Sequence, residues 1–320
     1  INTANITTCA PTNKVWQLSA NNLVINNSEK LVSGENVYLK FYNIPVFYWP
    51  YFWYSLDNTR KTGLLTPNFE YANKSVNFYQ PIYLNLAPNT DATITPVMMS
   101  NYGLNTQGKY RLLTSWGYSE INAAILPKAL QFNTRNNNNT NSNHRFGINI
   151  NNNLRYKNLN LYNTWSYVGD NDYLYDFNGL YNTPEASDGN QLYLPQKILL
   201  QQKLDTAQLH IGIFKHQTLH PTYGAQPKNQ YYSLPSMGLT TAPLLLSNNL
   251  SSDISTQIDF FENSHAIPEN HTNINNFKNS GTRAVIIPKL SWLDYYDINN
   301  NYSINFSGYY RKYANVKHND

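Results

Sequence analysis

Seven histidines, His144, His210, His216, His220, His265, His271 and His318, are the residues best suited to hold a metal or move a proton near neutral pH. His216 and His220 stand four apart, the spacing that puts two imidazoles on one helical face. They flank a strand end and a proline, however, and no HExxH surrounds them. Asp170 and Asp172 have the spacing of calcium-loop carboxylates, yet the Gly and the closing Glu of an EF-hand are absent, so they read as loop acids. No GxSxG, P-loop, Rossmann fingerprint or paired-cysteine motif occurs, and no Ser/His/acid set falls on matching strands. The chain is therefore expected not to be an enzyme and to carry no cofactor and no metal. Cys9 is the single cysteine. As a lone thiol it reads either as a small buried hydrophobe or, in an exported protein, as half of a bond to a partner elsewhere.

The feature that chemistry leaves unexplained is aromatic. Seven of the eleven residues from Ile44 to Tyr54 (IPVFYWPYFWY) are Phe, Tyr or Trp. Pro45 and Pro50 lack an N–H donor, so the segment must run extended along an edge or a connection. Tyr and Trp collect where one end is apolar and the other wet, as in the girdles of membrane barrels. An aromatic edge folded over a soluble core is the other reading.

Charged residues make up only 13% of the 320, against about a quarter in ordinary soluble domains. The mean hydropathy is nevertheless −0.54. Uncharged polar residues reconcile the two, since Asn is the commonest residue and there are 27 tyrosines. Such residues face water in an outer-membrane barrel while apolar ones face lipid at every second position. The net charge of +4 is spread without a basic block, which argues against a nucleic-acid partner. No apolar run approaches the length of a transmembrane helix. The start Ile1-Asn2-Thr3 carries no Met and no signal peptide, as expected of an exported protein read from an internal position.

Residues 1–57 read as short strands at Val15–Leu18, Asn22–Ile25 and Val37–Tyr42, followed by the aromatic run. Residues 58–320 read as longer strands of period two. Thr90–Met99, Lys157–Val168, Gln208–Gln217 and Tyr302–Arg311 are each about ten residues, the span of a tilted strand across a bilayer. Tight turns such as Tyr156–Asn158 alternate with long polar connections at Asn133–Asn143, Gly169–Pro195, Gln217–Tyr231 and Glu262–Ser280, the asymmetry of outer-membrane barrels. Pro67 and Pro81 fall at the starts of predicted neighbouring strands, Asn68–Tyr79 and Ile82–Ala87. Each removes a ladder donor, which marks either a plain strand end or a deliberately weakened seam.

With those patterns in hand, the chain resembles the LptD family of lipopolysaccharide-assembly proteins of the Gram-negative outer membrane. The resemblance rests on Thr7-Thr8-Cys9 with Trp16, on Ile44 through Tyr51, on Asp57 through Arg60 to Gly63-Leu64-Leu65-Thr66-Pro67-Asn68, and on Leu86 through Pro96. Tyr110-Arg111, Asp172-Tyr173 with Asp176-Phe177, and Ser280–Arg283 with Pro288 extend it less specifically. It implies an all-β fold: the last strands of a periplasmic β-jellyroll and hinge at residues 1–57, then roughly the N-terminal half of a large antiparallel transmembrane β-barrel at 58–320. It implies insertion of lipopolysaccharide into the outer leaflet through a lateral gate between the first and last strands. Pro67 and Pro81 match the prolines that weaken that gate, and Pro45, Phe47, Tyr48, Pro50 and Tyr51 match the hinge. Cys9 matches a jellyroll cysteine that pairs with one near the family's C-terminus. The implied partners are lipopolysaccharide, outer-membrane lipid, an LptE-type lipoprotein plug and an LptA-type periplasmic bridge.

The chain has room for only about a dozen strands after residue 63, about half the family's barrel, and is expected to be an internal fragment, a split copy or a decayed one. Two other readings stay open: a generic outer-membrane porin or receptor barrel, and a secreted soluble β protein that binds glycans through Tyr and Trp faces.

Overall fold

The computed structural model describes residues 3–7, 9–10, 15–28, 30–56, 59–72, 75–129, 144–177, 192–221, 230–262, 280–297 and 300–317. The Asn-rich stretch 136–143, most of the long connections, and His265, His271 and His318 lie outside the described residues. What is described is all-β and antiparallel with almost no helix, in two sheets.

The small sheet is a meander of β1 (Thr3–Ile6), β2 (Trp16–Asn26), β3 (Leu31–Phe41) and β4 (Ile44–Ser55). Its longer strands run eleven and twelve residues, not the short pieces expected. The pairing of β2 with β3 slips at Ser19/Asn21 and again at Asn21/Val24. Asn22 and Asn36 sit at φ 49°. Each extra residue flips the faces that follow, so a long strand loses the period-two signature in its sequence. The aromatic run is β4, at the sheet's edge, where prolines are tolerated. Ala20, Leu23, Val37 and Trp49 form its core, with Phe47, Phe52 and Leu64 packed against them.

The large sheet begins with β5 (Gly63–Leu64), β6 (Asn68–Ala72), β7 (Ser75–Tyr79), β8 (Ile82–Ala87) and β9 (Thr90–Met99). The predicted strand Asn68–Tyr79 is in fact the hairpin β6–β7. Next come β10 (Gly103–Thr114), β11 (Gly117–Leu126), β12 (Arg145–Tyr156), β13 (Leu159–Val168), β14 (Tyr193–Lys203) and β15 (Ala207–Thr218). β16 (Tyr232–Thr241), β17 (Leu244–Leu245), β18 (Leu250–Glu262), β19 (Ser280–Asp297), β20 (Asn300–Ser307) and β21 (Tyr310–Lys317) complete it. From β9 to β16 each strand pairs with its successor. The alternation expected over Tyr302–Arg311 crosses a break, because β20 and β21 pair with the two halves of β19. At that break Gly308 N–H donates to the Pro288 carbonyl at 3.0 Å, and Pro288 has no N–H to return.

The two faces of the large sheet invert the usual distribution. Asn105, Asn122, Asn149, Ser166, Gln196, Ser236 and Asp259 are buried, whereas Ile94, Met98, Ile125, Ile211, Ile254 and Ile258 are exposed. Several of the buried polar side chains satisfy one another, whereas Asn105 Oδ1 and Asn122 Oδ1 have no hydrogen-bond partner among the described residues. Asn149 donates to Ser166 Oγ at 2.8 Å, and Asp259 accepts from Arg283 Nε at 2.9 Å and Gln257 Nε2 at 2.8 Å.

The connection after β13 does not start as an open polar loop. Residues Tyr173–Phe177 form a one-turn helix, α1, whose Tyr173 and Leu174 pack on Ala124, Val168, Leu194 and Leu219. Asp170 and Asp176 grip Arg145, whose side chain is fully buried. Asp170 is therefore an ion-pair partner and not a solvated loop acid.

Candidate functional site

The site is the junction where β4 lies against the first strands of the large sheet. β5 and β6 are two halves of one strand, parted at Leu65–Pro67. β7 and β8 are two halves of the next, parted at Gln80–Pro81. Gly63 and Leu64 pair with Tyr83 and Ile82, whereas Asn68 pairs with Tyr79, so three residues face two across the gap. This bulge places Pro67 and Pro81 together at one interruption. On the far side β9 is continuous, yet the residue opposite Gln80 is Pro96: Gln80 N–H donates to its carbonyl at 3.2 Å. In an antiparallel hydrogen-bonded pair the reciprocal donor would be the N–H of Pro96, which does not exist. Three prolines on three adjacent strands thus thin the ladder at one level. The Leu65 N–H to Pro81 carbonyl bond, 2.9 Å, survives there.

β4 meets this level with its apolar side. Phe47 lies 4.6 Å from the Phe78 ring, and Phe78 lies 4.8 Å from Phe69, so an aromatic row runs from the small sheet into the β6–β7 hairpin. Trp49, 5% exposed, packs edge-on to Phe47 at 4.4 Å and donates its indole N–H to Gln80 Oε1 at 3.0 Å. The Gln80 amide in turn donates to the carbonyls of Leu65, at 2.9 Å, and Pro81, at 3.2 Å. Trp53 donates to the Thr62 carbonyl and lies over Gly63, where a Cβ would fall 2.5 Å from its indole nitrogen. A side chain at position 63 would therefore force the Trp53 indole to shift.

Of the residues singled out in the sequence, Pro67, Pro81 and Phe47 come together here. Tyr48 and Tyr51 are about half exposed, Tyr48 bonding Asn36 Oδ1 at 2.6 Å and the Tyr51 ring lying 5.5 Å from that of Trp53. Pro45 and Pro50 are exposed along the edge strand. Cys9 follows β1, at the opposite edge of the small sheet, as a free, half-buried thiol whose N–H donates to Thr7 Oγ1 at 3.1 Å. Among the described residues no group of three or more His, Cys, Asp or Glu is placed to hold a metal ion. Sequence reasoning missed Gln80 and Pro96. A proline inside the otherwise regular Thr90–Met99 alternation was the available signal, since proline in a central strand leaves a neighbour's ladder incomplete. Nothing in the sequence marks Gln80.

An inside-out antiparallel sheet, joined through an aromatic edge strand to a second sheet and interrupted by prolines in its first strands, defines an all-β protein of two connected sheets. No family model matches this chain. It is similar to LPS-assembly proteins named LptD: 38% identical over 122 residues to that of Xanthomonas oryzae pv. oryzae, and 40% identical over 125 residues to that of Coxiella burnetii. To that of Chromohalobacter salexigens it is 34% identical over 123 residues. Each match takes in 38–39% of this chain and only 14–15% of the relative, so the resemblance is to a fragment of such a protein.

Proposed function

We propose that this chain is a portion of an outer-membrane lipopolysaccharide-assembly protein, in which residues 1–57 end a periplasmic jellyroll and residues 58–320 supply the first strands of a barrel. The observation that carries the reading is the junction itself, an aromatic edge strand seated on first strands that three prolines have weakened. The inverted faces support the membrane assignment, because exposed Ile and Met suit hydrocarbon while buried Asn, Ser and Asp suit a wet interior. The unbroken run of antiparallel pairings from β9 to β16 supports a barrel wall.

No bond is made or broken in this mechanism. Acyl chains of lipopolysaccharide stay in an apolar path past the aromatic row, and the sugar head crosses the polar interior. Both leave sideways where the prolines leave the first strands with few bonds to break. An LptE-type plug and an LptA-type bridge belong to the same proposal as partners of the longer protein.

The test restores the missing donors. Pro67→Ala with Pro81→Ala, in the protein that carries this chain, is expected to stiffen the seam and lower surface lipopolysaccharide. Unchanged delivery would sink the gate role, and ion conductance without lipopolysaccharide transport would favour a porin.

A further inference from the structure

We infer that Gln80 is the positioning residue through which the small sheet sets the place of the first interrupted strand; the inference rests on the lateral-gate reading. Pro67, Pro81 and Pro96 leave the strands around residue 80 short of backbone donors at one level. The Leu65 carbonyl there accepts from a side chain, Gln80 Nε2, at 2.9 Å. The same amide holds the Pro81 carbonyl at 3.2 Å, and its oxygen takes the Trp49 indole proton at 3.0 Å. Gln80 is only 9% exposed and Trp49 only 5%, so water competes poorly for the bond between them.

The consequence is mechanical. Gln80 can orient its amide in one way only if it is to accept from Trp49 and donate to Leu65, because an amide has one acceptor end and one donor end. A displacement of β4 that breaks the Trp49 bond frees the amide to turn, and the Leu65 carbonyl then loses its donor. Movement of the small sheet is in this way transmitted to the first strand of the seam at the level where backbone bonding is thinnest.

The test follows amide exchange at Leu65, whose N–H bonds the Pro81 carbonyl, in the full chain in detergent, together with surface lipopolysaccharide in cells. Gln80→Met keeps the size and removes both ends of the relay; Trp49→Phe keeps a ring and removes the indole N–H. Each is expected to speed exchange at Leu65 by about tenfold, the worth of one lost hydrogen bond. The double variant should match the single ones instead of reaching about a hundredfold, and delivery should change equally in all three. Independent, multiplying effects would overturn the relay, as would exchange unchanged by either substitution. Should Gln80→Met not fold, Gln80→Glu, which keeps the acceptor and loses the donor, reads the same bond. If Pro67→Ala with Pro81→Ala alters delivery while the Gln80 variants do not alter exchange, the relay fails and the gate stands. If the proline pair leaves delivery unchanged, the gate fails whatever Gln80 does.

Discussion

Replacing Arg145 by Met should release α1 from the sheet. Arg145 binds Asp170 through two nitrogens, Nε at 2.9 Å and Nη2 at 2.7 Å, and Asp176 through Nη1 at 2.7 Å. Its guanidinium also lies 4.6 Å from the centre of the Phe177 ring. Methionine fills much of the volume but leaves the Asp176 carboxylate, 2% exposed, without its cation. Removing one member of a buried pair costs about 3–5 kcal/mol, which is roughly two to nearly four orders of magnitude in the ratio of docked to undocked α1. Packing of Tyr173 and Leu174 opposes release, so the loss is read locally. Exchange of the Asp176 N–H, which bonds the Asp172 carbonyl at 2.9 Å, should accelerate by at least about a hundredfold, and protease should cut within residues 169–177. The triple variant Arg145→Met, Asp170→Asn, Asp176→Asn removes the stranded charges and should recover much of the protection. Exchange in Arg145→Met equal to the parent would refute the argument that this ion cluster holds the helix.

Two further outcomes test the exposed apolar face and the hydrogen bonding of Cys9. Ile258→Lys, on a side chain 46% exposed, should cost about 2–4 kcal/mol in folding into lipid vesicles if that face meets hydrocarbon. A change within about 0.5 kcal/mol would mean that it meets water. At Cys9, hydrogen bonding by the Trp16 backbone and the Thr7 hydroxyl holds the thiol below its ordinary range. A lowered value means more thiolate at a given pH. Alkylation by iodoacetamide should therefore reach half its maximal rate at a lower pH than for free cysteine, and Thr7→Ala should move that midpoint upward. Coincident profiles for parent, variant and free cysteine would refute the hydrogen-bonding account.

Much of the strand layout was legible because alternation is local. Thr90–Met99 is β9 to the residue, and Gln208–Gln217 lies one residue inside each end of β15. Where reading failed, a bulge, a hairpin or a missing donor had intervened: the slips in β2 and β3, the pairing of β6 with β7 within Asn68–Tyr79, and the break opposite Pro288. None of these changes composition, but each changes which face a residue meets. Pro67 and Pro81 were visible because proline lacks a donor wherever it stands.

By itself, then, the sequence determined the all-β class, the extended aromatic edge and the places where backbone bonding must fail, since these follow from single residues and their nearest neighbours. Only the tertiary structure decided that Pro67, Pro81 and Pro96 share one level, that Trp49 reaches them through Gln80, and that Arg145 is buried between Asp170 and Asp176. Those facts depend on the register between strands tens of residues apart. Register is set by the summed pairing of whole strands, which no short window of sequence contains.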